Sequence, residues 1–300
     1  MRIRIAARGS KLSLRQVQSF VEYVRKHYPD LQFEIVTVKT TGDKFQASFE
    51  ELAKKGLTGL FEKEVNKAVL EGKADVAVHS LKDLPSEIDE RLEIVTYLPR
   101  DPPYDALVSR EGLKLEELPE GAIIGTSSSR RKALIKNLRP DLKVKDLRGN
   151  VDTRIRKLKA GDYDAIILAE AGIVRLELDV NYQRLYWRDF TPAPGQGIIV
   201  AVARKGSELA DALKAISDVR SERMALAERE VLKTFGGGCF VALGALAQEI
   251  NDKLRLRATL LTPNGSKRWD IELLGEDPLA LGREAALTLK RMADADYGEY

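Results

Sequence analysis

Short runs of apolar, largely β-branched residues recur along this chain, and between them apolar residues return at the spacing of a helix face. Strands are expected at Arg2–Ala7, Glu34–Val38, Asp75–His79, Glu93–Tyr97, Ala106–Ser109, Ala122–Gly125, Val144–Leu147, Ala165–Ala169 and Ile198–Ala203. Helical spacing links Leu14, Val17, Val21 and Val24, then Phe61, Val65, Ala68 and Val69, then Val151, Ile155 and Leu158. Alternation of this kind predicts α/β units built on parallel sheets.

Two proline-rich segments interrupt the pattern, Leu98-Pro99-Arg100-Asp101-Pro102-Pro103 and Thr191-Pro192-Ala193-Pro194-Gly195. A chain that leaves one α/β lobe through the first and returns through the second has two lobes, paired hinges and a cleft; two ordinary surface loops are the alternative. A weak internal echo favours two lobes. Ile3–Ser10 and Ile123–Arg131 both run from a strand through a Gly/Ser/Arg turn into a helix. From Val219 the texture changes. A charged helix (Val219–Thr234) leads to Gly236-Gly237-Gly238-Cys239, then alternating segments at Val241–Ala247, Leu254–Leu261 and Arg268–Leu274, then a closing helix near Pro278–Ala293. That is the pattern of a smaller α+β domain with an antiparallel sheet.

Composition narrows the function classes. No apolar run reaches the length of a membrane span. The start of the chain alternates like a strand and carries no signal-peptide core, so a cytoplasmic protein is expected. One cysteine and two histidines leave no internal disulfide and little for a zinc site, and no metal is expected. The net charge of +3, from 49 basic and 46 acidic residues, argues against a nucleic-acid partner.

The position of the arginines says more than their number. Gly125-Thr126-Ser127-Ser128-Ser129-Arg130-Arg131 places hydroxyls and free amides at the start of a helix, where the dipole favours an anion. Arg148-Gly149-Asn150 leads into a helix bearing Arg154, and Arg8-Gly9-Ser10 opens a third. Any one such turn reads as a capped helix with solvated arginines. Three at strand ends point to a polyanionic ligand. His79-Ser80-Leu81-Lys82-Asp83-Leu84-Pro85 follows another strand, and Asp83 is the one evident carboxylate among these turns. Cys239 follows three glycines, which let the backbone approach closely and leave the sulfur accessible.

In this order and spacing, the motifs resemble the porphobilinogen deaminase family (hydroxymethylbilane synthases) over nearly the whole chain. The resemblance is carried by Arg8–Gln16, Val78–Pro85, Gly125–Arg131, Arg148–Val151 with Thr153-Arg154, Pro194–Gly197 and Gly237–Cys239. It implies two lobes like those of type II periplasmic binding proteins around a hinged cleft, plus a C-terminal α+β domain with an antiparallel sheet. The implied division is 1–98 plus 197–216, then 103–191, then 219–300. The implied activity is stepwise condensation of four porphobilinogen units, with loss of ammonia, on a dipyrromethane joined to Cys239 by a thioether. Hydrolysis then releases hydroxymethylbilane.

The same resemblance makes Asp83 the catalytic residue. It gives Lys82, Asp83, Ser128, Arg130 and Arg131 to the cofactor, and Arg8, Ser10, Gln16, Arg148, Arg154 and Gln196 to the substrate. The Asp43–Gly59 stretch resembles the family's lid, with Lys54 at a lysine position, and a monomer is expected. Several positions depart from the family pattern. Thr58 stands for a usual lysine, Ser129 for leucine, Glu170 for alanine, Pro102 and Tyr104 for aspartate and arginine, and Ala242 for proline. The rival reading is a non-catalytic two-lobed binding protein for an organic acid, which needs the cleft but neither Asp83 nor the cysteine loop.

Overall fold

The structure, a computed structural model, describes residues 2–38, 60–236 and 242–297. The lid stretch with Lys54, and Cys239 itself, lie outside the described residues.

In chain order the elements begin with β1 (Arg2–Arg8), α1 (Lys11–His27), β2 (Gln32–Val38), α2 (Leu60–Leu70), β3 (Val76–Ser80), β4 (Leu92–Tyr97), β5 (Asp105–Ser109) and β6 (Ile123–Gly125). There follow α3 (Ser129–Leu138), β7 (Lys143–Lys145), α4 (Val151–Lys159), β8 (Ala165–Ala169), α5 (Glu170–Arg175), β9 (Gln183–Arg184), β10 (Ile199–Arg204) and α6 (Glu208–Lys214). The chain closes with α7 (Val219–Thr234), β11 (Ala242–Ile250), β12 (Lys253–Leu261), β13 (Arg268–Gly275) and α8 (Pro278–Tyr297).

Compactness divides the chain into Met1–Asp101 with Gly197–Arg223, and Pro102–Gln196 with Met224–Tyr300. The first unit holds a sheet in the order β2-β1-β3-β10-β4. Its central strands are apolar on both faces, so Ile3, Ile5, Val76, Val78, Val200 and Val202 are all buried. Val17, Phe20 and Val24 of α1 pack on this sheet, and Ala210 and Leu213 of α6 join the same core. Arg2 and Arg4, at the start of β1, face outward and pair with Glu34 and Asp75.

The second unit repeats the plan with the order β7-β6-β8-β5-β9. β1 and β6, the strands of the internal echo, hold the same place, each parallel to a partner on both sides. The sheets are mixed rather than all parallel. β10 runs antiparallel to β3 and β4, and β5 runs antiparallel to β8. Each is the first strand after a crossover segment, so no helical β-α-β connection forces it to run parallel. Both lobes therefore have the type II periplasmic-binding-protein-like strand order.

The three C-terminal strands form an antiparallel meander, β11-β12-β13, covered by α8 and α7. This sheet is joined to the 102–196 lobe at several points. Thr191 and Thr259 share a hydroxyl hydrogen bond of 2.6 Å, and Asn137 donates to the Gly265 carbonyl. Ala242 and Leu261 enter the same core as Leu134 and Phe190. Gly244 lets the strand come close: a Cβ there would lie 2.6 Å from the Thr191 carbonyl oxygen.

Candidate active site

In the first unit the expected residues gather at the C-terminal ends of β1 and β3. Arg8 closes β1, and Ser10 caps α1 by accepting a hydrogen bond from the Ser13 amide at 3.3 Å. Gln16, buried on α1, donates from Nε2 to Ser80 Oγ at 2.6 Å and so latches the helix to the end of β3. Lys82 and Asp83 lie in a single 3-10 turn, Leu81–Asp83. Leu81 and Leu84 are buried on either side of them, and the Leu81 amide donates to the Ile198 carbonyl. With its neighbours anchored, the turn leaves Lys82 half-buried and Asp83 exposed.

His79, one residue before this turn, is buried and bonded through Nε2 to Asn66 Oδ1 at 2.8 Å. An amide oxygen can only accept, so Nε2 carries the proton. Burial pushes the His79 pKa down to about 4, and the ring is neutral at neutral pH. Glu62 stands one turn before Asn66 on α2. Its pKa is pushed up to about 7 by burial and by the charge of Asp83, against the opposing pull of its backbone hydrogen bond and of Arg8.

In the second unit the same ends of β6, β7 and β8 carry the remaining candidates. Ser128 caps α3 by accepting from the Arg131 amide, and Thr126 accepts from the Ser128 amide. Arg130 and Arg131 are both buried on Asp105, the first residue of β5. Asp105 Oδ2 accepts from Arg130 Nη1 at 2.7 Å, while Oδ1 accepts from Arg131 Nη2 at 2.6 Å and Nε at 2.9 Å. Arg130 Nη1 also donates to the Thr191 carbonyl, and Arg131 Nη1 to that of Ile167. Burial drives the Asp105 carboxyl up, but the charges and hydrogen bonds of the two arginines together outweigh it and hold it well below the usual carboxylate range. Two guanidiniums on one carboxylate leave a net single positive charge at the head of α3.

Gln196 joins this network by donating from Nε2 to Pro103 O at 2.7 Å and to Asp105 Oδ1 at 3.2 Å. Beside it, Gly195 and Gly197 have φ of 76° and 88°, a region that glycine enters without strain. The Gly195 amide donates to Glu228, a buried carboxylate on α7 that also accepts from the Ala247 amide. Arg148 lies 3.9 Å from Asp146, and Arg154 donates from Nε to the Gly149 carbonyl at 2.9 Å.

Sequence reasoning singled out Asp83 as the one carboxylate among the arginine turns. The structure adds Asp105 beside the arginine pair and Glu62 within the field of Asp83. A charged residue opening an otherwise apolar strand was the available signal for Asp105; nothing in the spacing pointed to Glu62. Two unusual positions also come together. Glu170 is buried and accepts from Arg184 at 2.7 and 2.8 Å and from the Tyr182 hydroxyl at 3.0 Å. The Arg184 guanidinium lies 4.6 Å above the Tyr104 ring.

The family model described as porphobilinogen deaminase, dipyromethane cofactor binding domain, matches residues 3–212, and that of the C-terminal domain of porphobilinogen deaminase matches 223–291. The chain belongs to the porphobilinogen deaminase family. It is 68% identical over 293 residues to a probable porphobilinogen deaminase of Ignicoccus hospitalis, covering 97% of this chain and 96% of that one. A probable porphobilinogen deaminase of Pyrobaculum calidifontis is 48% identical over 300 residues, covering 99% of this chain and all 100% of its own length. Among solved structures, substrate binding domain 2 of Lactococcus lactis GlnP in its open form is 15% identical, with a TM-score of 0.42, covering 78% of this chain and 90% of that one.

Members of this porphobilinogen deaminase family are transferases, and membership makes this chain a transferase of tetrapyrrole biosynthesis. The family's dipyrromethane carries carboxylate side chains. The donor set at the head of α3 suits such a group, since hydroxyls, helix-terminal amides and a net positive arginine pair converge there.

Proposed function

We propose that the chain condenses porphobilinogen units on a dipyrromethane joined by a thioether to Cys239, with Asp83 at the reacting centre. The observation that carries this reading is the Leu81–Asp83 turn, which follows β3 and presents an exposed Asp83 next to Lys82 and between two buried leucines. When bound, the dipyrromethane would supply the free pyrrole carbon to which the first unit is joined, each later unit joining the ring before it.

Asp83 accepts hydrogen bonds from pyrrole N–H groups and stabilises the cation left when ammonia departs from porphobilinogen. Preorganised electrostatics of this kind is commonly the largest catalytic contribution. Lys82, Ser128, Arg130 and Arg131 hold cofactor carboxylates. Arg8, Ser10, Arg148 and Arg154 take those of the incoming unit, with Gln16 and Gln196 as further contacts to it. Lys54 belongs to the covering lid. The three domains are 1–98 plus 197–216, 103–191 and 219–300, the last carrying the cysteine. The protein works as a cytoplasmic monomer; no described helix is long and apolar enough to cross a membrane.

Intact mass tests the reading. Wild type is expected to carry a surplus equal to two deaminated porphobilinogen units, and Cys239→Ser to lack it. If wild type shows the bare polypeptide mass and still acquires nothing after incubation with porphobilinogen, the tethered-primer reading fails.

A further inference from the structure

We propose that the seam between the 102–196 lobe and the C-terminal sheet carries an oxyanion site. Arg188 and Arg255 form it around Trp187, and it takes phosphate, free or as the phosphate group of a larger molecule.

The site follows from the register of the C-terminal meander. Leu254, Leu256 and Ala258 of β12, with Trp269, Ile271 and Leu273 of β13, turn into the core under α7 and α8. Alternation puts Arg255 and Arg257, with Arg268, Asp270 and Glu272, on the opposite face. There they meet the 187–189 segment of the lobe. Arg257 and Arg268 hold that segment in place. Each bonds to Asp270 at 2.8 Å and donates to the Arg188 carbonyl, and Arg268 also donates to that of Asp189.

The outer two arginines are placed differently. Arg257 stands directly across from Glu272, but the residue across from Arg255 is Leu274, so the row of acidic partners stops short. Arg255 bonds to Gln248, an uncharged amide, at 2.6 Å, and its Nε lies 3.9 Å from Glu272 Oε1. Arg188 reaches the same oxygen at 3.2 Å. Both guanidiniums lie over the Trp187 ring, 4.9 and 5.0 Å from its centroid. The buried Nε atoms of Arg255 and Arg257 have no hydrogen-bond partner among the described residues, which marks a place where the protein's own acceptors run out.

Four guanidiniums thus share two carboxylates, and the excess is two positive charges. Neighbouring charges do not offset it. Asp189 lines a separate groove with Arg139 and Leu185. Lys253 and Glu276 pair with each other at 3.6 Å, and Glu249 alternates to the other face of β11. The Arg188 and Arg255 side chains are 45% and 29% exposed, so an incoming anion reaches both. Planar guanidiniums offer paired N–H donors to the oxygens of a phosphate, and a doubly charged oxyanion matches the excess.

The holoenzyme is titrated with sodium phosphate at constant ionic strength and followed by tryptophan fluorescence. Of the two tryptophans, Trp269 is buried on the other face, so Trp187 reports on this site. A saturable change is expected, half-complete at about 1 mM for so small a ligand and absent from Trp187→Phe. Leu274→Glu supplies the missing carboxylate across from Arg255 at an exposed position. It should weaken binding about tenfold, as should Arg255→Gln, with turnover unchanged in both. Glycerol phosphate in place of phosphate separates the two sources: tighter binding assigns an esterified phosphate, equal or weaker binding the free ion. No saturable change in wild type, a change that persists in Trp187→Phe, or a half-saturation that moves in neither Leu274→Glu nor Arg255→Gln overturns the proposal.

Discussion

Asp105→Asn is the sharpest test of the arginine network. Asp105 is fully buried, and the side chains of Arg130 and Arg131 are only 6% and 7% exposed. The carboxylate accepts from both guanidiniums and from Gln196. Asparagine keeps one oxygen for Arg131 but turns an NH2 group toward Arg130 Nη1, which is itself a donor. Two buried cations then lose the carboxylate that they share. Removing one partner of a buried ion pair costs about 3–5 kcal/mol. For a unit of this size, that lowers the melting temperature by about 6–20 °C. The assay is thermal unfolding followed by circular dichroism at pH 7.

The pH dependence has a definite sign. The folded carboxyl titrates below its unfolded value, so its contribution is complete above the unfolded pKa and is lost as pH falls toward the folded one. The gap between wild type and Asp105→Asn should hold steady from pH 8 to pH 5 and shrink below about pH 4. Asp75→Asn provides the comparison, because Asp75 pairs with Arg4 in contact with solvent and should cost about 1 kcal/mol or less. A loss under about 2 °C for Asp105→Asn at pH 7 would refute the reasoning, since the buried guanidiniums would then need no counter-ion.

Two further outcomes follow from geometry. Since His79 is neutral when folded, unfolding takes up a proton between its folded value of about 4 and the unfolded value of about 6.5. Wild-type stability should fall by up to about 3 kcal/mol as pH drops through that window, and chemical denaturation of His79→Gln should show the slope removed. Gly244→Ala places a methyl group 2.6 Å from the Thr191 carbonyl. It should lower the urea midpoint by an amount equal to about 1–3 kcal/mol with an unchanged slope, and an unshifted midpoint would mean that the strands part freely.

Much of the secondary structure was legible because it is a local property. The expected strands at Ala165–Ala169 and Leu254–Leu261 coincide with β8 and β12 to within a residue, as does the helix Val219–Thr234 with α7. Alternation and helical spacing act over neighbouring residues, and burial then selects them. The hydroxyls expected at helix starts behave likewise, since Ser10 and Ser128 cap helices within three residues of themselves. Strand direction was less accessible. The antiparallel run of β5 and β10 depends on where a crossover delivers the chain, which no local pattern encodes.

By itself, then, the sequence determined the two-lobed α/β class, the family and the strand-end turns that carry its polar motifs, because each is written in short-range periodicity or in motif order. Only the tertiary structure decided what those motifs touch. It put Asp105 against arginines 25 and 26 positions away and Glu228 under a glycine 33 positions away. It brought Glu62 within the field of Asp83, and it joined Glu170, Arg184 and Tyr104 into one cluster. The reason is physical. The charge state and partners of a buried group depend on every atom within a few ångströms, and those atoms come from segments that only folding brings together.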